Sequence, residues 1–429
     1  MMAERRKEEK VHGDQNATVV VVPHLPNLVI HHILGYLPTK LAIHTSFLSK
    51  NWLGIWSSLP VIDLQEEGND GDEFNMVEDT KFTNFLVRYL ELRDKDSPLE
   101  KLRLHMRSPY ADMTVLERLL SFAATKSVKE LDICLMNLYY YFSHNILNAK
   151  TITALSLEYV SIKATEERIS FPSLKTISLN RVEFGMKNTL FMSLISRSPS
   201  IEHISVNSCY GLTVLPDKLL TFTSSSLKSS EVSHCEYSIK VTAANLKSFT
   251  LLASEHEEIA EVTLDRCRNL KHINIHAGCL YSLDLLGCHD SMKATIDVPH
   301  LRFLSFNGYM KHHIIEKTRN LYNGGIVAVR DRKPTFESSW KHFSTLSYFL
   351  EKVYGSCYAS IRLIVYDPEA WTFPKDFRKI CSPPLPLLTK LQVDIVNYPT
   401  EKIDSEFWDS LRWMAPKAIW NPGYCPNYL

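Results

Sequence analysis

The segments LEKLRL (99–104), VKELDI (128–133), ITALSL (152–157), LKTISL (174–179), IEHISV (201–206) and LKSSEV (227–232) follow one pattern, L-x-x-L-x-L, set by apolar residues at positions 1, 4 and 6. Their starts are 29, 24, 22, 27 and 26 residues apart. A unit of this length, repeated in tandem, cannot bury its apolar side alone and is stable only when stacked on its neighbours. The reading is therefore an α/β solenoid, with parallel strands on a concave face and helices or loops on a convex face.

Stacking turns positions 1, 4 and 6 inward and leaves the residues between them facing out along a curved sheet. Those outward residues include Lys101, Arg103, Glu130, Asp132, Lys175, Glu202, His203, Lys247, Lys271, His272 and Asn274. The set is mixed in charge and suits a protein target.

The pattern continues at Leu246, Ile259, Leu270, Leu280 and Leu301 with shorter steps. Steps of this size cannot each hold a strand and a helix. The expectation is that Leu246, Leu270 and Leu301 open concave strands while Ile259 and Leu280 open strands on the opposite wall. Helical stripes at Val115, Leu116, Leu119, Leu120 and Ala123, and at Leu190, Leu194 and Ile195, have no counterpart between Leu246 and Phe306.

After Asn323-Gly324-Gly325, read as a turn, Trp340, Phe343, Leu346, Leu350, Val353 and Tyr354 predict an amphipathic helix. Strands at 361–366 and 391–396 and a helix from Asp404 or Ser405 to Met414 complete a cap on the open end.

Equal numbers of basic and acidic residues, 48 each, leave no net charge to draw in nucleic acid or an anionic membrane. The nine cysteines are scattered, without a C-x-x-C pair, and read as reduced thiols in cytoplasm or nucleus. No apolar run reaches membrane-span length. Phosphate-binding loops and the G-x-S-x-G elbow are absent from the sequence, and no metal site or cofactor is expected. Pairs such as His31-His32, His312-His313 and Cys288-His289 are adjacent in sequence and cannot both reach one ion from a regular element.

Upstream of the repeats, LPNLVIHHILGYLPTKLAIHTSFLSKNWLGIW (25–56) reads as three short helices. Leu28, Ile33, Leu34 and Leu37 form one stripe. Leu41, Ile43, Phe47 and Leu48 form a second behind a Thr39 cap, and Trp52, Ile55 and Trp56 a third. The stretch holds more apolar side chains than so short a module can bury, so it is a docking element.

The pattern L-P, I-L-x-x-L-P-T-K, L-S-K-x-W-x-x-x-W resembles the F-box of plant F-box/leucine-rich-repeat proteins. The C-terminal order of elements is similar to the FBD region of the same family. Asn27 and Asn51 stand where that family usually has an acidic residue and an arginine. The resemblance implies a substrate receptor of an SCF-type ubiquitin ligase. Leu25, Pro26, Ile33, Leu34, Leu37, Pro38, Leu48, Trp52 and Trp56 would meet the adaptor subunit, and through it a cullin, while the repeats hold a target protein. Catalysis would be indirect, since no C-x-x-C pair suggests a RING and no cysteine stands out as a thioester nucleophile. The expected layout is a disordered tail (1–20), F-box (21–64), acidic linker (65–80), repeats (81–330) and FBD-like cap (331–429). Two other readings remain open here: a scaffold with a degenerate F-box, and a receptor completed by a small molecule on its concave face.

Overall fold

The computed structural model describes residues 25–47, 52–66, 76–107, 113–135, 140–141, 146, 149–162, 170–185, 190–213, 218–254, 256–257, 259–288, 293–308, 314–315, 324–329, 339–396, 398–399 and 402–423. The expected tail, most of the acidic stretch, Leu48, Asn51, His289, His312-His313 and Asn323 lie outside them.

Two helices, α1 (Asn27–Gly35) and α2 (Thr39–Ser46), open the described chain. The expected third helix is a turn followed by a 3-10 segment, Ile55–Ser58, because Gly54 adopts φ +84° and breaks the helical path. Thr39 caps nothing: Pro38 is the N-cap, and the Thr39 hydroxyl instead accepts a 2.8 Å hydrogen bond from the Asp63 amide. Asp63 lies in the strand Val61–Gln65, the first of a parallel eleven-stranded sheet. The helical module thus runs straight into that sheet, and helix α3 (Met76–Leu92) begins inside the span expected as linker.

The later strands of this long sheet are Lys101–Met106, Glu130–Leu135, Ala154–Glu158, Thr176–Asn180, His203–Asn207, Ser229–Ser233, Ser248–Ala253, His272–Ala277, Lys293–Asp297 and Ile314–Ile315. The first eight follow a repeat leucine or its equivalent: Leu99, Val128, Ile152, Leu174, Ile201, Leu227, Leu246 and Leu270 are all buried. Alternation does the rest, so Leu102, Leu131, Leu155, Ile177, Ile204, Phe249 and Ile273 share one inward row. Ser230 occupies that row between Ile204 and Phe249.

The opposite wall changes character along the chain. Helix α4 (Met113–Thr125) packs beside α3, and helix α5 (Leu190–Ser196) packs beside the strand Leu219–Thr223. That strand begins a second parallel sheet, continued by Ser238–Thr242, Glu261–Asp265, Ser282–Cys288, Phe303–Gly308, Gly324–Val329, Ser360–Val365, Lys390–Ile395 and Ile419–Gly423. A short three-stranded sheet, Tyr140–Tyr141, Val160–Ile162 and Glu183–Phe184, lies between helical and stranded material in chain order.

Leu246, Ile259, Leu270 and Leu280 open strands on the walls the sequence predicts. Leu301 does not: Phe303–Gly308 pairs with Ser282–Cys288 on the second sheet. The long-sheet strand of that coil is Lys293–Asp297, whose sequence KATID carries no leucine to announce it. Nor is Gly324-Gly325 a turn. It starts a strand, and glycine is required there by close backbone approach: a Cβ at Gly325 would fall 1.8 Å from the Leu304 carbonyl oxygen and one at Gly324 1.6 Å from that of Ser360.

The C-terminal strands extend the second sheet, not the first. Helix α6 (Ser339–Tyr354) contacts Ile314–Ile315, the last strand of the long sheet. Helices α7 (Lys375–Ile380) and α8 (Ser405–Met414) follow in the same stretch. Strands and helices have therefore exchanged walls between the two ends of the solenoid. One continuous core links them, including Phe82 and Tyr89 at one end and Trp371, Phe373 and Phe407 at the other.

Candidate docking faces of the helical module and the repeat sheet

Within the helical module Ile30, Leu34, Ala42 and Leu59 form a small core of their own, with Leu25, Leu37, Trp52, Ile55 and Trp56 packed against it. Ile30 and Leu34 are four apart, so the buried side of α1 is rotated away from the predicted stripe. Leu28 is 84% exposed as a result. Helix α2 buries Thr39, Ala42 and Ser46, leaving Leu41 and Phe47 outward, with Phe47 68% exposed. Together with Val29, Ile33, Tyr36 and Leu53, these residues give the module an apolar surface that no other described residue covers.

The expected adaptor-facing set therefore divides. Pro26, Ile33 and Pro38 are exposed; Leu25, Leu37, Trp52 and Trp56 are half-buried, and Leu34 is fully buried. Trp56 also lies 5.6 Å from the Tyr89 ring of α3, so it joins the module to the repeats. Leu28, Tyr36, Leu41, Phe47 and Leu53 complete the outward surface. Leu41 and Phe47 sat in a predicted stripe, but small buried residues at 39, 42 and 46 take the inner side of α2.

Arg93, almost fully buried, holds the seam. Its guanidinium donates to the Leu59 carbonyl at 2.6 Å and to the Tyr89 hydroxyl at 2.9 Å. Burial pushes the Tyr89 pKa up, and Arg93 partly offsets this.

On the long sheet, strict register aligns the outward residues in rows. The first row includes Lys101, Glu130, Thr176, His203, Ser248, His272 and Lys293. The second includes Asp63, Arg103, Asp132, Ser156, Ser178, Ser205, Glu231, Thr250 and Asn274. Lys175, Glu202, Lys247 and Lys271 precede the strands and lie along the rim, one residue short of the first row. The remaining six predicted target-facing residues, and Asn274, are in the rows.

Charge is unevenly distributed over this surface. At its N-terminal end Arg103 bridges Asp63 (3.4 Å) and Asp132 (3.0 Å), with His105 3.5 Å from Asp132 and Lys101 2.8 Å from Glu130. Burial disfavours the Asp132 carboxylate, yet hydrogen bonds from His105 and Arg103 outweigh it and hold its pKa below the ordinary value. Toward the centre the second row turns to serine and threonine, and Glu158, Asn180 and Asn207 form a hydrogen-bonded ladder with steps of 2.6 and 2.9 Å.

A cavity of about 240 Å³ borders Tyr210, Thr213, His234, Glu236 and Tyr237 where the chain leaves the sheet. It is below the roughly 300–1,000 Å³ of ligand pockets and lies off the outward rows. Among the described residues no group of three or more His, Cys, Asp or Glu could hold a metal ion.

The F-box domain family matches residues 22–63. The At1g61320/AtMIF1 leucine-rich-repeat domain family matches residues 95–286. The chain thus carries an F-box followed by leucine-rich repeats, the arrangement of the plant F-box/leucine-rich-repeat proteins. Its relatives in Arabidopsis thaliana include the F-box/FBD/LRR-repeat protein At5g22700, 31% identical over 48% of this chain and 45% of that one. The FBD-associated F-box protein At5g38590 is 30% identical over 42% of this chain and 43% of its own length. The F-box chain spans about half the length of the curated relatives it matches. Its F-box is the helical module described above, and the matched repeat domain covers the long sheet from its second strand to the strand His272–Ala277.

Proposed function

We propose that this F-box protein is a substrate-recruiting subunit of an SCF-type cullin-RING ubiquitin ligase. The observation that carries the reading is the outward apolar surface of the F-box, Leu28, Tyr36, Leu41, Phe47 and Leu53, on a module with its own small core and fixed to the repeats through Arg93 and Trp56. An SKP1-like adaptor would cover that surface and join the chain to a cullin. The outward rows of the long sheet would hold a target protein. Ubiquitin would come from a separate conjugating enzyme, the receptor contributing proximity alone. The free cysteines suit a reducing cytoplasm or nucleus.

Co-purification of the full chain with an SKP1-like adaptor tests the reading. Stable 1:1 association, abolished by Leu41→Asp with Phe47→Asp in a folded protein, supports it. A wild-type chain that elutes without the adaptor overturns it in favour of a scaffold.

A further inference from the structure

Along the rim where the chain enters the long sheet, one ladder of backbone hydrogen bonds runs through consecutive coils. The Glu202 amide donates to the Lys175 carbonyl, Lys228 to Glu202, Lys247 to Lys228, Lys271 to Lys247 and Lys293 to Lys271, at 2.7–2.8 Å. Four lysines thus stand on four consecutive coils, about 4.8 Å apart by the spacing of paired strands; Lys228, Lys247 and Lys271 share one rim position, and Lys293 sits one residue further in, in register with His272.

Earlier coils set carboxylates among their lysines: Lys129 binds Glu100 at 2.9 Å, Lys101 binds Glu130 at 2.8 Å, and Glu202 stands on the rim within electrostatic reach of Lys175. Lys228 is matched by Glu202 at 2.6 Å. From Lys247 onward the matching stops. Lys247, Lys271 and Lys293 are exposed and form no ion pair among the described residues, and Arg268 in the turn before Lys271 is exposed as well. Like charges on adjacent strands repel unless an anion lies between them. In a chain of zero net charge, this local excess is a departure from the balanced pattern of the first coils.

We propose that the lysine ladder 247–271–293 is the docking site for an acidic, extended segment of the target protein. This rests on the reading that the repeat surface holds a target, and names the chemistry it selects. An extended segment of about four residues spans the ladder at roughly 3.3 Å per residue. Its carboxylates would meet Lys247, Lys271 and Lys293, with the exposed His272 beside them in the first row. Polypeptide is favoured over nucleic acid because the outward rows carry no Trp, Tyr or Phe among the described residues on which bases could stack.

The test uses the purified full chain and fluorescein-labelled octaglutamate, read by anisotropy at low and physiological salt. The wild type is expected to bind, more weakly as salt rises. The triple variant Lys247→Glu/Lys271→Glu/Lys293→Glu is expected to lose at least about tenfold in affinity at low salt, where charges interact over the longest range. Replacement by glutamine should fall between the two, and Lys390→Glu, on the second sheet, should bind as the wild type does. Equal binding by wild type and triple variant, absence of binding by the wild type, or tighter binding of a single-stranded oligonucleotide than of the peptide would each overturn the proposal. Adaptor co-purification does not involve the ladder, so failure of the F-box reading and failure of this one are read separately.

Discussion

The Arg93 guanidinium and the Leu59 carbonyl meet at 2.6 Å inside the seam between the F-box and the first repeats. Leu59 is the last buried residue of the module's own core, and Arg93 closes the helix that backs the first strands. Replacing Arg93 with methionine leaves the Leu59 carbonyl and the Tyr89 hydroxyl without their donor. The expected cost is about 2–3 kcal/mol in urea denaturation, the penalty of stranding buried polar groups. Limited proteolysis should then cut between module and repeats.

Surface and core positions of the F-box separate in the same way. Trp56→Ala should lower stability by about 3 kcal/mol, as for a large aromatic lost from a packed site, and weaken adaptor binding only as the module loosens. Phe47→Asp should leave the melting temperature within a few degrees of wild type and still weaken adaptor capture by about tenfold or more. Equal thermal destabilisation by both would contradict the assignment of outer and inner faces.

Ser230 is the converse case. It sits in the inward row between Ile204 and Phe249, fully buried, and its hydroxyl has no hydrogen-bond partner among the described residues. Ser230→Ala should raise stability by about 1 kcal/mol, since it removes an unsatisfied group from an apolar site. A fall in the urea midpoint would mean the hydroxyl is bonded after all.

Burial pushes the thiols of Cys235 and Cys267 up to about 11. Since the thiolate is the reactive form, both should resist iodoacetamide at pH 8 in the native protein and react fully in urea. Peptide mass mapping of the two samples checks this.

Acid should weaken the N-terminal end of the outward face. The Asp132 pKa is lower in the folded state than in the unfolded chain, so its ion pairs contribute fully above the unfolded value and are lost as pH falls through the folded one. Asp132→Asn should therefore reduce stability at pH 7 while flattening its decline below pH ~4.

Much of the solenoid was legible because L-x-x-L-x-L is a direct imprint of strand alternation and coil closure. Its failures are equally physical. Strand Lys293–Asp297 offers only Ala294 and Ile296 to the core, and strands Leu219–Thr223 and Ser238–Thr242 are announced by Asp217 and Glu236 where the pattern calls for an apolar first residue. The wall to which Leu301 belongs depends on which coil already holds a strand opposite, information the local sequence does not carry. In the F-box, the expected apolar residues are present, but their sides were assigned by hydrophobicity. The fold instead buries small Thr39, Ala42 and Ser46 where the helices approach, and turns Leu41 and Phe47 out.

The exchange of strands and helices between walls has a geometric consequence. Paired strands stand about 4.8 Å apart, whereas packed helices need about 8–10 Å. A stack bends toward its stranded side, so the early coils curl around the long sheet and the late coils around the second. The bend should therefore change sign along the molecule, with one hollow on each side of the stack. A rigid partner cradled by one of them leaves the other free.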